Sequence, residues 1–209
     1  MSEEWKDPEH ALGYLRRADT IPHRTAGEET LLAEVPEDAA RVLDLGCGDG
    51  RLLALVMLKC PHAEGVGVDF SSVMLAKARE RFEGASRVHV KEHDLARPLG
   101  AWGRFDVVCS SFAIHHVPHE RKRALYQEVW DVLNPMGVFC NLEHVSSPTA
   151  GVRRRFWEQM GANPEDEDPS NKLLDVQTQL DWLREIGFSD VDCYWKWREL
   201  ALLIGKKPG

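Results

Sequence analysis

A chain of 209 residues fits one α/β unit large enough to bury a core and leaves no room for a second full domain. Its net charge of −8 argues against a broad nucleic-acid-binding surface, which needs an excess of Lys and Arg to displace counterions. Five cysteines at 47, 60, 109, 140 and 193 form no C-x-x-C pair, and read as reduced thiols in the cytoplasm with no metal framework. The polar, acidic start lacks a signal-peptide profile, and no segment reaches the roughly 20 apolar residues that span a bilayer.

Two N-terminal helices are expected first, over Leu12 to Ala18 and Glu28 to Glu34. A core strand over about Arg41 to Leu45 then runs into Asp44-Leu45-Gly46-Cys47-Gly48-Asp49-Gly50. Glycines at 46, 48 and 50 permit a tight turn and positive φ, and they clear side chains from the path of a ligand. A helix over Arg51 to Lys59 follows at once. The second strand, about Glu64 to Asp69, precedes a helix over Ser72 to Phe82. The third, about Arg87 to His93, is closed by Asp94, and the fourth covers Phe105 to Ser110. A helix over Arg121 to Leu133, a fifth strand over Gly137 to Glu143 and a helix over Gln177 to Ile186, stopped by Gly187, complete the alternation of a doubly wound sheet.

Three strand ends therefore carry three acids. The glycines read G-x-G-x-G, and an Asp stands before them. A pyrophosphate-binding loop reads G-x-G-x-x-G instead, and no Tyr-x-x-x-Lys pair is present, so a nicotinamide oxidoreductase fits poorly.

These motifs, with Phe105-Asp106-Val107-Val108-Cys109-Ser110-Ser111-Phe112-Ala113-Ile114-His115-His116 and Leu133-Asn134-Pro135-Met136-Gly137-Val138, resemble the class I S-adenosylmethionine-dependent methyltransferases. The match runs over roughly 38 to 145 in the family's order. It implies a Rossmann-like, seven-stranded mixed sheet with helices on both faces. One strand would be antiparallel, in a closing hairpin of Val191 to Trp197 and Leu200 to Lys206. The chain divides accordingly into an N-terminal helical cap (1–37), a cofactor-binding core (38–145), a substrate-lid insert (146–176) and a C-terminal helix with hairpin (177–209).

The resemblance also implies site roles. Asp44 would hold the amino-acid end of S-adenosylmethionine along the Gly46 to Gly50 backbone, with Cys47 as small filler. Asp69 would take the ribose hydroxyls, Phe70, Ser71 and Met74 would lie beside the adenosine, and Asp94 and Leu95 would meet the adenine edge. Ser110 and Phe112 would line the methyl side. Arg24 is the candidate partner of the methionine carboxylate. Each has a plainer reading: Asp44 and Asp69 as turn or helix caps, and Phe70 and Met74 as core.

Acceptor contacts are expected from Tyr14, His115, Arg153, Trp157 and Trp195, and His116 is the candidate general base. The Arg153-Arg154-Arg155-Phe156-Trp157 run reads either as a lid whose arginines meet an anionic substrate or as a solvated helix balanced by Glu165 to Asp168. The aromatic strand Tyr194 to Trp197 puts one face in the core and leaves the other for a planar or apolar acceptor.

The expected activity is methyl transfer from S-adenosylmethionine to a small-molecule acceptor, leaving S-adenosylhomocysteine, by a monomer or homodimer acting without nucleic acid or membrane. Two alternatives stand beside it. Arg17 to His23 looks somewhat like the carboxy-S-adenosylmethionine synthases linked to tRNA wobble uridine modification, with Arg17 a further basic residue there. A non-catalytic S-adenosylmethionine-binding protein is the other.

Overall fold

The computed structural model describes residues 7, 9–11, 13, 21–161, 163, 165 and 167–209. The helix expected over Leu12 to Ala18 falls, apart from Gly13, outside these residues, as do Tyr14 and Arg17.

Helix α1 (Arg24–Glu34) leads into strand β1 (Arg41–Leu45), α2 (Arg51–Lys59), β2 (Glu64–Asp69), α3 (Ser72–Arg81), β3 (Val88–Glu92) and β4 (Phe105–Ser111). A 3₁₀ turn over Ile114–His116 precedes α4 (His119–Val132), β5 (Leu133–His144), α5 (Ala150–Gln159), α6 (Val176–Ile186), β6 (Ser189–Trp197) and β7 (Leu200–Lys206). The sheet order is β3-β2-β1-β4-β5-β7-β6. β1 to β5 pair in parallel, and β7 lies antiparallel to both β5 and β6. This is the seven-stranded mixed sheet implied by the motifs.

Strand alternation distributes the apolar side chains to two faces. Val42, Val107 and Cys140 pack on one side with Leu31 of α1 and Leu53 and Val56 of α2. Leu43, Val108 and Phe139 pack on the other with Leu125 and Val129 of α4 and Leu183 of α6. Chain order reverses between β1 and β4, so a crevice opens at their carboxyl ends, where open α/β sheets bind ligands.

Two boundaries depart from expectation by four residues, and the others by at most two. Helix α1 begins at Arg24, four residues early: Arg24 Nε donates to Glu28 Oε1 at 2.8 Å, one turn on, in a buried pair. Gly27 obscures this start in the sequence, being a weak helix former. It is required there, since a Cβ would come within 2.8 Å of Leu142 on β5. Strand β5 starts at Leu133 rather than Gly137, because Leu133 pairs with Phe105 before the register shifts between Phe105 and Val107. Helix α6 follows its sequence signals closely: the Asp175 carboxylate caps the Thr178 amide at 2.8 Å, and Gly187 ends it at φ 118°.

Candidate active site

Strand β1 carries Asp44 into the interior, where it is 1% exposed. Neither carboxyl oxygen has a hydrogen-bond partner among the described residues. Burial, reinforced by the charges of Asp69 and Asp49, pushes its pKa from 3.8 up to about 8, and the Leu53 backbone amide and, less, Arg24 offset only part of this. An orphaned carboxyl in a folded core is costly unless a cation or donor arrives to satisfy it.

The glycine loop curls over this acid. The Gly46 and Cys47 amides both donate to the Val68 carbonyl, at 2.8 and 2.9 Å, tying the loop to β2. Gly46 (φ 70°) faces Ala113, whose Cβ would lie 2.2 Å from an added methyl, whereas Gly48 (φ 53°) faces nothing within 4 Å. Gly46 is thus closed by the protein, and Gly48 presents bare backbone to open space. Asp69 Oδ2 accepts from the Gly48 amide at 2.9 Å, and its Oδ1 accepts from the Ser71 amide at 2.8 Å. One carboxylate therefore fixes the loop and the start of α3 together. Burial raises Asp69 as well, against the lowering by these amides.

The remaining candidates of this half surround the crevice. Met74 and Ala11 form a small cluster with Phe70 packed against it. Asp94 Oδ1 accepts from the Ala96 amide at 2.9 Å, and Leu95 is buried within 3.7 Å of the Gly46 Cβ position. Ser110 Oγ donates to the Leu45 carbonyl at 2.7 Å, so its hydroxyl serves the sheet. Phe112 (φ 53°) follows β4 and carries the Arg24 guanidinium 5.5 Å from its ring centre. Glu28 accepts from both Arg24 and Arg51, at 2.8 and 3.0 Å, holding the two guanidiniums beside the loop. The Cys47 side chain approaches Gly67, and burial pushes its thiol well up, which suits a filler and not a nucleophile.

Beyond Phe112 lies a cavity of about 300 Å³. Ile21, Trp157, Met160, Trp197 and Leu200 supply apolar walls, and His115, His116, His144, Asp168 and Glu199 the polar ones. His115 Nδ1 lies 2.7 Å from Glu143 Oε1, both side chains being buried. His116 Nδ1 lies 2.8 Å from Ser170 Oγ, and burial followed by the neighbouring His115 carries its pKa down to about 2. Glu199 accepts from Trp157 Nε1 at 2.8 Å and the Ser147 amide at 3.2 Å, and lies 3.7 Å from His144 Nε2. These contacts, outweighing burial, bring it down to about 2.

His115, His116 and Trp157 thus meet at one cavity. Two other acceptor candidates are placed differently. Arg153 is ion-paired with Glu167 and lies 5.6 Å from the Trp157 ring centre, so a carboxylate of the chain itself engages its charge. Trp195 packs under α1, within 3.1 Å of the Gly27 Cβ position, and the neighbouring Trp197 reaches the cavity instead, its ring tilted against His23 with centroids 4.4 Å apart. A register shift between Cys193 and Trp195 lets Tyr194 and Trp195 both pack on the core. Sequence reasoning did not single out Glu28, Asp168, Ser170, Glu199 or the Glu143 contact with His115. Their partners range from 2 residues away, Ser170 for Asp168, to 158, His10 for Asp168, and only the acids at strand and hairpin ends gave any signal.

Residues 42–137 match the family model described as a methyltransferase domain. The chain is 33% identical over 185 residues to the trans-aconitate 2-methyltransferase of Variovorax paradoxus (strain S110), covering 87% of this chain and 60% of that one. It is 25% identical over 193 residues to the carboxy-S-adenosyl-L-methionine synthase of Wolinella succinogenes, covering 84% and 80%. Among solved structures, an O-methyltransferase family protein from Burkholderia thailandensis superposes with a TM-score of 0.75 at 19% identity, over 98% of this chain and 62% of that one. The chain thus spans less than two thirds of these trans-aconitate methyltransferases, 46% of one and 60% of another.

Proposed function

Taking as premise that this chain belongs to the class I S-adenosylmethionine-dependent methyltransferases, we propose that it transfers a methyl group from S-adenosylmethionine to a small-molecule acceptor. The observation that carries this is Asp44, buried at the carboxyl end of β1, neither of whose carboxyl oxygens has a hydrogen-bond partner among the described residues, beside the bare Gly48 backbone. That donor set fits S-adenosylmethionine, whose α-ammonium and sulfonium are cations and which has no pyrophosphate to cradle.

When bound, S-adenosylmethionine supplies an electrophilic methyl and its own leaving group. The chain's residues bind and orient. Asp44 holds the ammonium, Arg24 faces the carboxylate end, Asp69 keeps the loop in register and accepts from the ribose hydroxyls, and Phe70, Met74, Asp94 and Leu95 frame the adenine. Phe112 separates this crevice from the acceptor cavity. Trp157, Trp197 and Met160 exclude water from it, which strengthens every polar contact inside.

The insert over 146–176 serves as the lid over the acceptor. The trans-aconitate methyltransferases favour a small molecule as that acceptor. Among the described residues no helix is long and apolar enough to cross a membrane, and the five free thiols support a reducing, cytoplasmic setting. Isothermal calorimetry with S-adenosylmethionine tests the reading, together with mass spectrometry of metabolite extracts for acceptors that gain a methyl. Binding that survives Asp44→Asn unchanged sinks it. The match to a carboxy-S-adenosylmethionine synthase over most of both chains favours a second reading, carboxylation of the same cofactor. Appearance of that product in place of a methylated acceptor selects it.

A further inference from the structure

Resting on the methyl-transfer reading, we infer that Glu28 is a positioning residue for the donor. It holds Arg24 and Arg51 as a preset site for the α-carboxylate of S-adenosylmethionine, and so makes the pocket select donors that retain that group. Two observations carry this.

The first is the arrangement around Glu28. The side chain is buried, at 2% exposure, and so is Arg24, at 7%. Oε1 accepts from Arg24 Nε at 2.8 Å and from Arg51 Nε at 3.1 Å, while Oε2 accepts from Arg51 Nη2 at 3.0 Å. Arg51 thus meets the carboxylate side-on through two parallel bonds, the strong geometry for a guanidinium. The three side chains together carry one positive charge. Without the acid between them, two guanidiniums this close would repel each other. Ordering a long arginine costs rotamer freedom, and Glu28 has removed that freedom before the donor arrives.

The second is where the cluster sits. Arg24 opens α1, and Arg51 opens α2 directly after Gly50, the last glycine of the loop. Glu28 therefore ties the N-terminal helix to the exit of the donor loop. Its own place is fixed by packing: Gly27 lets α1 press on Leu142 of β5, and Leu31, one turn on, belongs to the core. The Arg24 guanidinium lies 5.5 Å from the Phe112 ring centre, beside the crevice, and its charge acts on Asp44. The donor's ammonium and carboxylate share one carbon. An acid and a guanidinium within electrostatic reach of each other match that zwitterion.

The test compares S-adenosylmethionine with its decarboxylated form, which keeps the ammonium, the sulfonium and the adenosine and lacks only the α-carboxylate. Calorimetry on the full chain should show wild type preferring S-adenosylmethionine by at least about 10-fold. Glu28→Ala should weaken S-adenosylmethionine by at least about 10-fold and the decarboxylated form by less than about 2-fold, removing most of the preference. Glu28→Gln keeps the side-chain length and one accepting oxygen, and should show the same split at smaller size. Binding of the decarboxylated form reports an intact pocket, so misfolding is told apart from lost positioning. Other roles read differently. Acting only through its charge, Glu28 would hold back an incoming carboxylate, and Glu28→Ala would tighten S-adenosylmethionine or leave it unchanged. Acting only in the fold, it would weaken both ligands alike when replaced. Either result, or wild type that binds the two forms equally, overturns the inference and leaves the methyl-transfer reading standing. Wild type that binds neither form overturns both.

Discussion

The crevice beside β1 and the cavity beyond Phe112 are built on opposite terms. In the crevice the central acid, Asp44, is buried with no hydrogen-bond partner on its carboxyl oxygens among the described residues, and a Cβ at Gly48 would meet nothing within 4 Å. In the cavity the buried polar groups are paired: His115 with Glu143, His116 with Ser170, and Glu199 with Trp157 and Ser147. A site left unsatisfied by its own chain is committed to one kind of ligand, whose charge is implied by what is missing. A site already satisfied constrains its ligand through shape and wall polarity, and so can diverge between relatives without disturbing the fold.

The sharpest way to break this contrast is Asp44→Asn. Donor affinity should fall by at least about 100-fold by calorimetry, because the variant loses the charge opposite the ammonium. The same change should stabilise the ligand-free protein. A carboxyl raised from 3.8 to about 8 takes up a proton on folding, so its contribution is intact below pH 4 and is lost as pH rises through 8. At pH 8 the melting temperature of the variant should exceed wild type by about 3–6 °C in a thermal scan, a gap that closes toward pH 4. Equal melting points at pH 8 would show that Asp44 finds a partner in the free protein.

The two loop glycines give the next largest effect. Gly46→Ala sets a methyl 2.2 Å from Ala113 at positive φ and should cost about 3 kcal/mol in denaturant unfolding. Gly48→Ala meets no neighbour within 4 Å and should cost about 1 kcal/mol from its φ alone, yet weaken donor binding more than stability. Similar losses at both positions would mean that Gly48 does not face a ligand.

Proton release sharpens the contrast further. Below pH 8 donor binding must discharge the Asp44 proton, so affinity should rise with pH and level off near 8, and calorimetry at pH 7 should vary with buffer ionisation enthalpy. The smallest effects belong to the paired cavity. Glu199→Gln should lower stability by about 1 kcal/mol at neutral pH. Since Glu199 is held down to about 2, that difference should shrink as pH falls from 4.5 toward 2. Arg153→Ala should change stability by less than about 1 kcal/mol, since a part-exposed ion pair such as that with Glu167 contributes little.

What the chain discloses by itself follows the same division. The strand order, Asp44, the three glycines and Asp69 were legible because each motif is a short contiguous run in which the residue types and their spacing do the same physical job. The polar pairs of the cavity were not. Glu143 stands 28 residues from His115, Glu199 stands 42 from Trp157, and Ser170 stands 54 from His116, so only the folded sheet edge brings them together. Arg153 looked available for an anion until Glu167, 14 residues on, supplied its counter-charge. Alternation does not say which tryptophan of the strand is covered, and in the fold Trp195 packs against Gly27 of α1 while Trp197 lines the cavity.

The reversed direction of β7 has a further consequence. Because it runs against β5, the Trp197–Leu200 bend returns to the same rim as the ends of β1 and β4, with Leu200 opposite His144. Trp197, Glu199 and Leu200 therefore reach the cavity from the final stretch of chain, while the crevice beside β1 is complete by Phe112. Grafting only the last hairpin and the 146–176 segment from a relative would exchange selectivity modules while keeping the donor-binding engine intact, a recombination boundary supplied by one inverted strand.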